Sequence, residues 1–242
     1  MTKPISSEKY FVWRGRDVTR VENFSDIVFA LSLTLIVASS VPVSFDALVA
    51  LWREAIAIAM CFALILLIWS KHHAFHRRYG LDDGRTVVLN AIVLFLIMVF
   101  AYPLKYLALF LVNFFTGFYE TGIQINAIMS FDQVQWFIVI YAMGYALIFG
   151  VFALLYAHAL SRADDLELSL AERILTRLEV DQGIAAIAIS GLAAIIALIL
   201  PNQFSPMGGS VYFLVGPVMI VLTRRARKRA DAAQAEAGGC VD

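Results

Sequence analysis

The sequence predicts an all-α polytopic membrane protein with six transmembrane helices and both termini in the cytoplasm. Of its 242 residues, 61% are hydrophobic and 16% are charged, whereas a soluble domain carries about a quarter charged residues. A helix that spans a bilayer needs about 20 mostly apolar residues. Six segments approach that length: 24–41, 51–69, 87–115, 134–160, 181–200 and 210–223.

These six segments define a single transmembrane domain, 24–223, and no second domain is evident. The cytoplasmic segment 1–23 precedes it, and a tail over 224–242, first basic and then flexible, follows it. The third segment contains Pro103 and is long enough to tilt or kink in a bilayer. The sixth is short, and it reaches a full span only if residues 207–210 join it.

The basic residues sort to one side of the predicted membrane. All of the 19 lysines and arginines except Arg53 and Lys105 fall in the two terminal segments, the second-to-third loop or the fourth-to-fifth loop. Cytoplasmic loops of membrane proteins carry an excess of lysine and arginine. This distribution predicts cytoplasmic termini, and an even number of spans agrees with it.

A polar motif opens the first span. Arg20, Phe24, Ser25 and Asp26 stand directly before a long apolar run, and charged groups at such a position are costly without partners. One interpretation is a helix N-cap beside a cytoplasmic arginine. The other is a network of charges and hydrogen bonds that fixes the first helix to its neighbours, with Trp69, His72 and His73 at the end of the second span as partners.

The first span also carries two stripes on a helical wheel. Leu31, Leu35 and Ala38 form an aliphatic stripe with Thr34 on its flank, and Ser25, Ser32 and Ser39 form a second stripe about 100° away. Small hydroxyl residues at this spacing are typical of close packing between helices. The aliphatic stripe either contacts lipid or lines a pathway, and the pattern alone leaves both open.

Two further features have ordinary explanations. His72, His73 and His76 resemble a metal-binding cluster, but Lys71, Arg77 and Arg78 surround them and would repel a cation, so we expect structural histidines and no metal. Lys105 lies inside the third span. Snorkelling toward the outer interface is the expected behaviour of such a lysine, and a role in a vestibule is the alternative.

Several classes of function lack their motifs. The sequence contains no Gly-rich phosphate loop, no Ser/His/Asp grouping and no paired carboxylates suited to acid–base chemistry. We therefore expect no enzyme and no cofactor. The Thr-Val-Gly-Tyr-Gly carbonyl filter of ordinary potassium channels is also missing from the sequence.

Four stretches of the chain resemble the transmembrane protein 175 family of potassium-permeable channels. Arg20-x-x-x-Phe24-Ser25-Asp26 matches the family's signature at the start of its first helix. The stretch Trp69-Ser70-Lys71-His72-His73-Ala74-Phe75 is similar to the Trp-x-x-His-His-x-x-Phe end of its second helix. The dipeptide Leu89-Asn90 and the run Phe100-Ala101-Tyr102-Pro103 resemble parts of its third helix. The similarity extends from residue 20 to about residue 104.

This resemblance implies one six-helix repeat per chain, a homotetramer and a multi-pass protein of the prokaryotic plasma membrane. It implies permeation of potassium and other monovalent cations, with no nucleic acid partner. In the family the first helix of each subunit lines the pore, and bulky aliphatic rings take the place of a carbonyl filter. The equivalent positions here are Leu31, Leu35 and Ala38, with Thr34 as the pore-helix threonine.

The chain departs from the family pattern at two of these positions. Ala38 replaces a larger aliphatic residue, and Leu31 replaces the commoner isoleucine. We therefore expect potassium to be preferred over sodium with modest selectivity. The alternative is a secondary or proton-linked transporter that uses His72 and His73 as a relay, although the span centres hold few of the ionisable groups that transporters need.

Overall fold

The computed structural model describes residues 10–15, 17–38, 43–46, 48–49, 54–116, 131–201 and 204–238. Within these ranges the regular structure is helical and contains no strand. The long helices are α1 (Arg20–Ala38), α2 (Ala55–Tyr79), α3 (Gly84–Thr116), α4 (Phe131–Ser161), α5 (Leu170–Ile199) and α6 (Val215–Gly238). A short α-helical turn, Met207–Ser210, and a 3₁₀ turn, Val211–Leu214, lead into α6.

Six helical stretches in the described part of the chain are long and apolar enough to cross a membrane. They are Arg20–Ala38, Ala55–Tyr79, Gly84–Ala101, Gln133–Ser161, Leu170–Ile199 and Met207–Glu236. The chain is therefore an all-α polytopic membrane protein, as predicted. The helix α3 continues without interruption through Pro103.

The sixth span differs from the sequence prediction at both ends. It begins at Met207, changes from 3₁₀ to α geometry at Val215, and continues as α6 to Gly238. Pro217 is tolerated because it lies in the first turn of α6, where the backbone N–H groups have no intrahelical partner. The basic residues 224–229 and the alanine-rich stretch after them are thus helical, because both are good helix formers.

The chain divides into two compact units. The smaller unit comprises Val18–Ala74 and Ala91–Ser130, and it contains α1, most of α2 and most of α3. Its interior is aliphatic and aromatic, with Phe29, Ile36, Cys61, Ile65 and Ile97 almost completely buried.

The larger unit comprises Met1–Asp17, Phe75–Asn90 and Phe131–Asp242. Small residues let α4 and α5 approach closely: a Cβ atom on Gly183 would lie 2.5 Å from the Cβ of Ala153. Ser169 begins α5 with a capping box, because its hydroxyl accepts from the N–H of Glu172 while the Glu172 side chain accepts from the N–H of Ser169. The helix ends before Pro201, which disfavours helical geometry at Leu200.

Candidate functional site

One face of α1 is exposed in the single chain. Phe24, Ile27, Leu31 and Leu35 have 59%, 58%, 52% and 44% of their surface accessible, and Ala38 and Thr34 are also exposed. The exposed arc includes the aliphatic stripe that the sequence predicts. Large apolar side chains on one continuous face mark a surface that meets lipid, another subunit or a pathway.

The opposite face of α1 packs into the smaller unit. Ser25 and Ser32 are completely buried, and their hydroxyls donate to the carbonyl oxygens of Val21 and Val28, 2.7 and 2.9 Å away. Both hydroxyl groups therefore donate their hydrogen bonds within α1 itself. The small side chains permit close packing of α1 against neighbouring helices. Ser39, the third member of the predicted serine stripe, lies outside the described residues.

Asp26 joins α1 to α2. The Trp69 indole Nε1 donates to Asp26 Oδ1 at 2.8 Å, and the Trp69 ring stacks on His73 with centroids 5.3 Å apart. Asp26 lies in the second turn of α1 and not at its N-cap, because Thr19 occupies the capping position and accepts from the N–H of Glu22 at 3.2 Å. The structure thus brings Asp26, Trp69 and His73 together.

Arg20 and Phe24 stand apart from this group. Both are exposed in the first turns of α1. Within the described residues, no ion pair joins Arg20 to Asp26. Their exposure places them on the same side of α1 as Leu31 and Leu35.

Glu22 is a polar residue of this site that the sequence analysis did not identify. Its side chain is 6% exposed, and its Oε1 lies 3.6 Å from Nδ1 of His73, a distance at which a protonated histidine forms an ion pair. The signal was present as Thr19-x-x-Glu22, a pattern typical of a helix start. His72 packs against Phe29 on the same side of α1, with ring centroids 5.5 Å apart.

The histidine cluster therefore has aromatic and carboxylate neighbours. His76 packs edge-on against Phe75, with ring centroids 5.4 Å apart. In the part of the chain that the structure describes, no group of three or more histidine, cysteine, aspartate or glutamate residues has metal-binding geometry.

Lys105 forms an ion pair with Glu54. Its Nζ lies 2.9 Å from Oε2 of Glu54, and the two side chains are 8% and 30% exposed. Such a pair lowers the cost of keeping a lysine inside a span, because an unpaired charge there is expensive. The sequence analysis missed Glu54, which directly precedes α2 and carries no local motif.

The site offers surfaces for contact and little for reaction chemistry. The exposed face of α1 presents mainly apolar side chains together with Arg20 and Thr34, and the Thr34 hydroxyl is bonded to the helix itself. The hydroxyl of Thr34 donates to the carbonyl oxygen of Ala30 at 2.9 Å, so its oxygen lone pairs remain on the exposed side.

Comparisons with known proteins agree on one family. A family model described as "Endosomal/lysosomal potassium channel TMEM175" matches residues 20–101, which include α1 and the histidine cluster. A protein of Marivirga tractuosa named "Potassium channel" is 38% identical over 226 residues, which cover 90% of this chain and 92% of the relative. A potassium channel of Chamaesiphon minutus is 31% identical over 103 residues, which cover 39% of this chain and 51% of the relative.

Solved structures show the same fold. The crystal structure of the T38A variant of the potassium channel MtTMEM175, in complex with a nanobody–MBP fusion, superposes with a TM-score of 0.81 at 36% identity. The match covers 93% of this chain and 100% of that one. A TMEM175 homologue from Chamaesiphon minutus, 22% identical, shares the fold with a TM-score of 0.53 over 86% of this chain and 96% of its own. The resemblance seen in the sequence is confirmed: the chain belongs to the TMEM175 family.

Proposed function

We propose that this protein is a potassium-permeable cation channel whose pathway is lined by α1 from several copies of the chain. The observation that carries the proposal is the exposed aliphatic face of α1, beside a buried face that carries Ser25 and Ser32. A membrane relative 38% identical over nine-tenths of the chain is named a potassium channel, which supports the assignment of the permeant ion.

A single copy cannot enclose the pathway, because each chain supplies only one such helix face. Closed rotational symmetry brings the same face of each copy around one axis. The family resemblance points to four copies, a homotetramer. In this arrangement 24–223 is the channel domain, the segments 1–23 and 224–242 are cytoplasmic, and the host membrane is a prokaryotic plasma membrane.

Leu31 and Leu35 would form the narrow part of the pathway. Rings of leucine side chains make an apolar constriction that conducts when hydrated and closes by dewetting. Such a neck provides no ligands to replace water, so it discriminates by the cost of removing hydration. Potassium loses water more readily than sodium, and modest selectivity for potassium follows.

Ala38 and Thr34 would shape the remainder of the pathway. Ala38 has the smallest side chain of the stripe, so its ring is the widest. The Thr34 oxygen, with its hydrogen committed to Ala30, presents lone pairs that a passing cation can contact.

A contact between α1 and α2 supports this arrangement by holding α1 in orientation. The bond between Trp69 and Asp26 fixes the rotation of α1 against α2. If α1 turned about its axis by the angle of one residue, about 100°, the aliphatic stripe would no longer face the proposed pathway.

The proposal is tested by measuring the reversal potential of the purified protein in a planar bilayer, with potassium chloride on one side and sodium chloride on the other. We expect an ohmic current that reverses on the potassium-selective side. Slow, saturable uptake into vesicles without single-channel currents would overturn the channel and favour a carrier. Dependence of that uptake on a proton gradient would identify the proton-linked transporter.

A further inference from the structure

A run of basic side chains lies on α6 directly after its apolar turns. Five of the six positions from 224 to 229 are basic, and they follow the apolar stretch that ends at Thr223. All five are exposed: Arg224, Arg225, Arg227, Lys228 and Arg229. We call them the basic run.

The basic run has no partners among the described residues, where none of its members takes part in an ion pair or a side-chain hydrogen bond. Three other arginines of the same unit are paired with carboxylates. Between α4 and α5 and in the first turns of α5, three ion pairs join Arg162 to Asp165, Arg173 to Asp164 and Arg177 to Asp181. The five unpaired cations of the basic run repel one another. A bound anion would offset this electrostatic repulsion.

The part of α6 that carries the basic run is held by contacts on either side of the run. Before the run, Gln182 Nε2 donates to Thr223 Oγ1 at 3.1 Å, which ties α6 to α5. After it, the hydroxyl of Tyr10 donates to Asp231 Oδ1 at 2.9 Å, and Ala230 is completely buried. On a helical wheel Ala226 and Ala230 occupy one side, and the five cations fill the arc of about 200° that remains. The cations are therefore preorganised on the outer side of a tethered helix.

The same face is apolar one turn earlier. Ile220 and Val221 are 53% and 46% exposed, and on the wheel they align with Arg224 and Lys228. From position 224 to 229 the helix rises about 7.5 Å. The headgroup zone of one leaflet is about 5 to 7 Å thick. A molecule that fits this face is anionic at one end and apolar at the other.

We propose that the basic run is a binding site for anionic phospholipids. The phosphate lies against the basic run, and an acyl chain follows Ile220 and Val221 toward the bilayer core. A soluble phosphate compound has no apolar group that would contact Ile220 and Val221. A phospholipid uses both parts, and each basic residue near a charged leaflet contributes about 1 kcal/mol.

The test compares two triple variants with the same loss of charge. R225Q/K228Q/R229Q removes three cations of the basic run and leaves Arg224 and Arg227 to preserve membrane topology. R162Q/R173Q/R177Q removes three cations that are already paired with carboxylates. Each purified protein is exposed to an equimolar mixture of phosphatidylglycerol and phosphatidylcholine with identical acyl chains, and the retained lipids are counted by native mass spectrometry.

We expect the wild type and the paired-arginine variant to retain phosphatidylglycerol selectively, and R225Q/K228Q/R229Q to lose at least about tenfold of that preference. Equal preference in all three proteins would overturn the proposal. Loss of retained lipid upon addition of inorganic phosphate or of an inositol polyphosphate would also overturn it, since a free phosphate compound would then be the ligand.

A second measurement uses the wild type alone, so that a misfolded variant cannot leave the question open. The protein is reconstituted with a photoreactive phosphatidylglycerol, irradiated and digested. Labelled peptides from the region 218–231 support the proposal. Labelling confined to other regions would overturn it, because phosphatidylglycerol would then bind elsewhere on the protein.

Discussion

At the scale of single residues, the hydrogen bond from Trp69 to Asp26 attaches α1 to α2. Trp69→Phe keeps an aromatic ring for His73 but removes the N–H donor that lies 2.8 Å from Asp26. We expect a loss of about 1 kcal/mol in stability, the usual net value of one hydrogen bond. Thermal unfolding of the purified protein measures it, with Trp136→Phe, an exposed tryptophan of α4, as the matched control. An unchanged melting temperature would show that the bond between Trp69 and Asp26 does not stabilise the attachment of α1 to α2.

Asp83 gives a prediction that depends on pH. Partial burial raises the pKa of Asp83, but hydrogen bonds from the hydroxyl and N–H of Thr86 and from His158 outweigh it, and the pKa falls to about 2. A carboxyl group whose pKa is lowered on folding stabilises the fold above its ordinary pKa, near 3.8, and this contribution disappears as the pH falls through about 2.

We therefore expect Asp83→Asn to be less stable than the wild type at pH 7, by about 1 kcal/mol or less, because an acidic residue at a helix N-terminus contributes that amount. The difference should shrink between pH 4 and pH 2. Thermal unfolding over this pH range measures it, and Asp82→Asn, at an exposed neighbouring position, is the control. A difference that stays constant with pH would show that the charge of Asp83 is not what stabilises the turn.

At the scale of the elements, the segment 10–15 is held to its own unit by several hydrogen bonds. Arg14 Nη1 and Nη2 donate to the two carboxylate oxygens of Glu172 at 2.8 and 3.1 Å, and Nε donates to the carbonyl oxygen of Leu166 at 2.7 Å. The N–H groups of Arg14 and Gly15 donate to the carbonyl oxygen of Arg77. This segment therefore joins the end of α2 to the start of α5.

Replacing Arg14 with glutamine should destabilise the protein more than replacing a surface arginine. The Arg14→Gln variant leaves the buried carboxylate of Glu172 without its cation, and hydrogen bonds to charged groups are worth about 2 kcal/mol. Arg162→Gln breaks an exposed pair worth about 0.5 kcal/mol. Thermal unfolding of both variants tests the order, and equal effects would mean that the Arg14 side chain contributes no more stability than an exposed ion pair.

The local sequence predicts elements better than it predicts their partners. Apolar length identifies all six spanning helices, and the wheel identifies the exposed stripe of α1, since both depend only on neighbouring residues. The pairs Lys105–Glu54 and His158–Asp83 join residues 51 and 75 positions apart, and no local pattern encodes them. The sequence analysis also did not predict a helix after residue 223. The charged residues there end the apolar run, although arginine, lysine and alanine are good helix formers.

At the scale of the whole molecule, the proposed function requires that copies of the chain assemble around the exposed stripe of α1. Leu35→Ala should widen the proposed constriction and bring sodium permeability toward that of potassium. Val37→Ala is the matched control, because Val37 is 54% exposed on α1 yet lies about 160° from Leu35 on the wheel. Reversal potentials under opposed potassium and sodium gradients measure the permeability ratio for both variants.

The same two variants separate the filter from the assembly. If Leu35 lines the pathway, Leu35→Ala keeps the mass of a tetramer in detergent and changes only its selectivity, since the anchor at Asp26 and Trp69 is intact. If the stripe contacts lipid instead, both variants conduct like the wild type. A change of selectivity in Val37→Ala alone would place the pathway on another face of α1, and the proposed rings of Leu31 and Leu35 would then be abandoned.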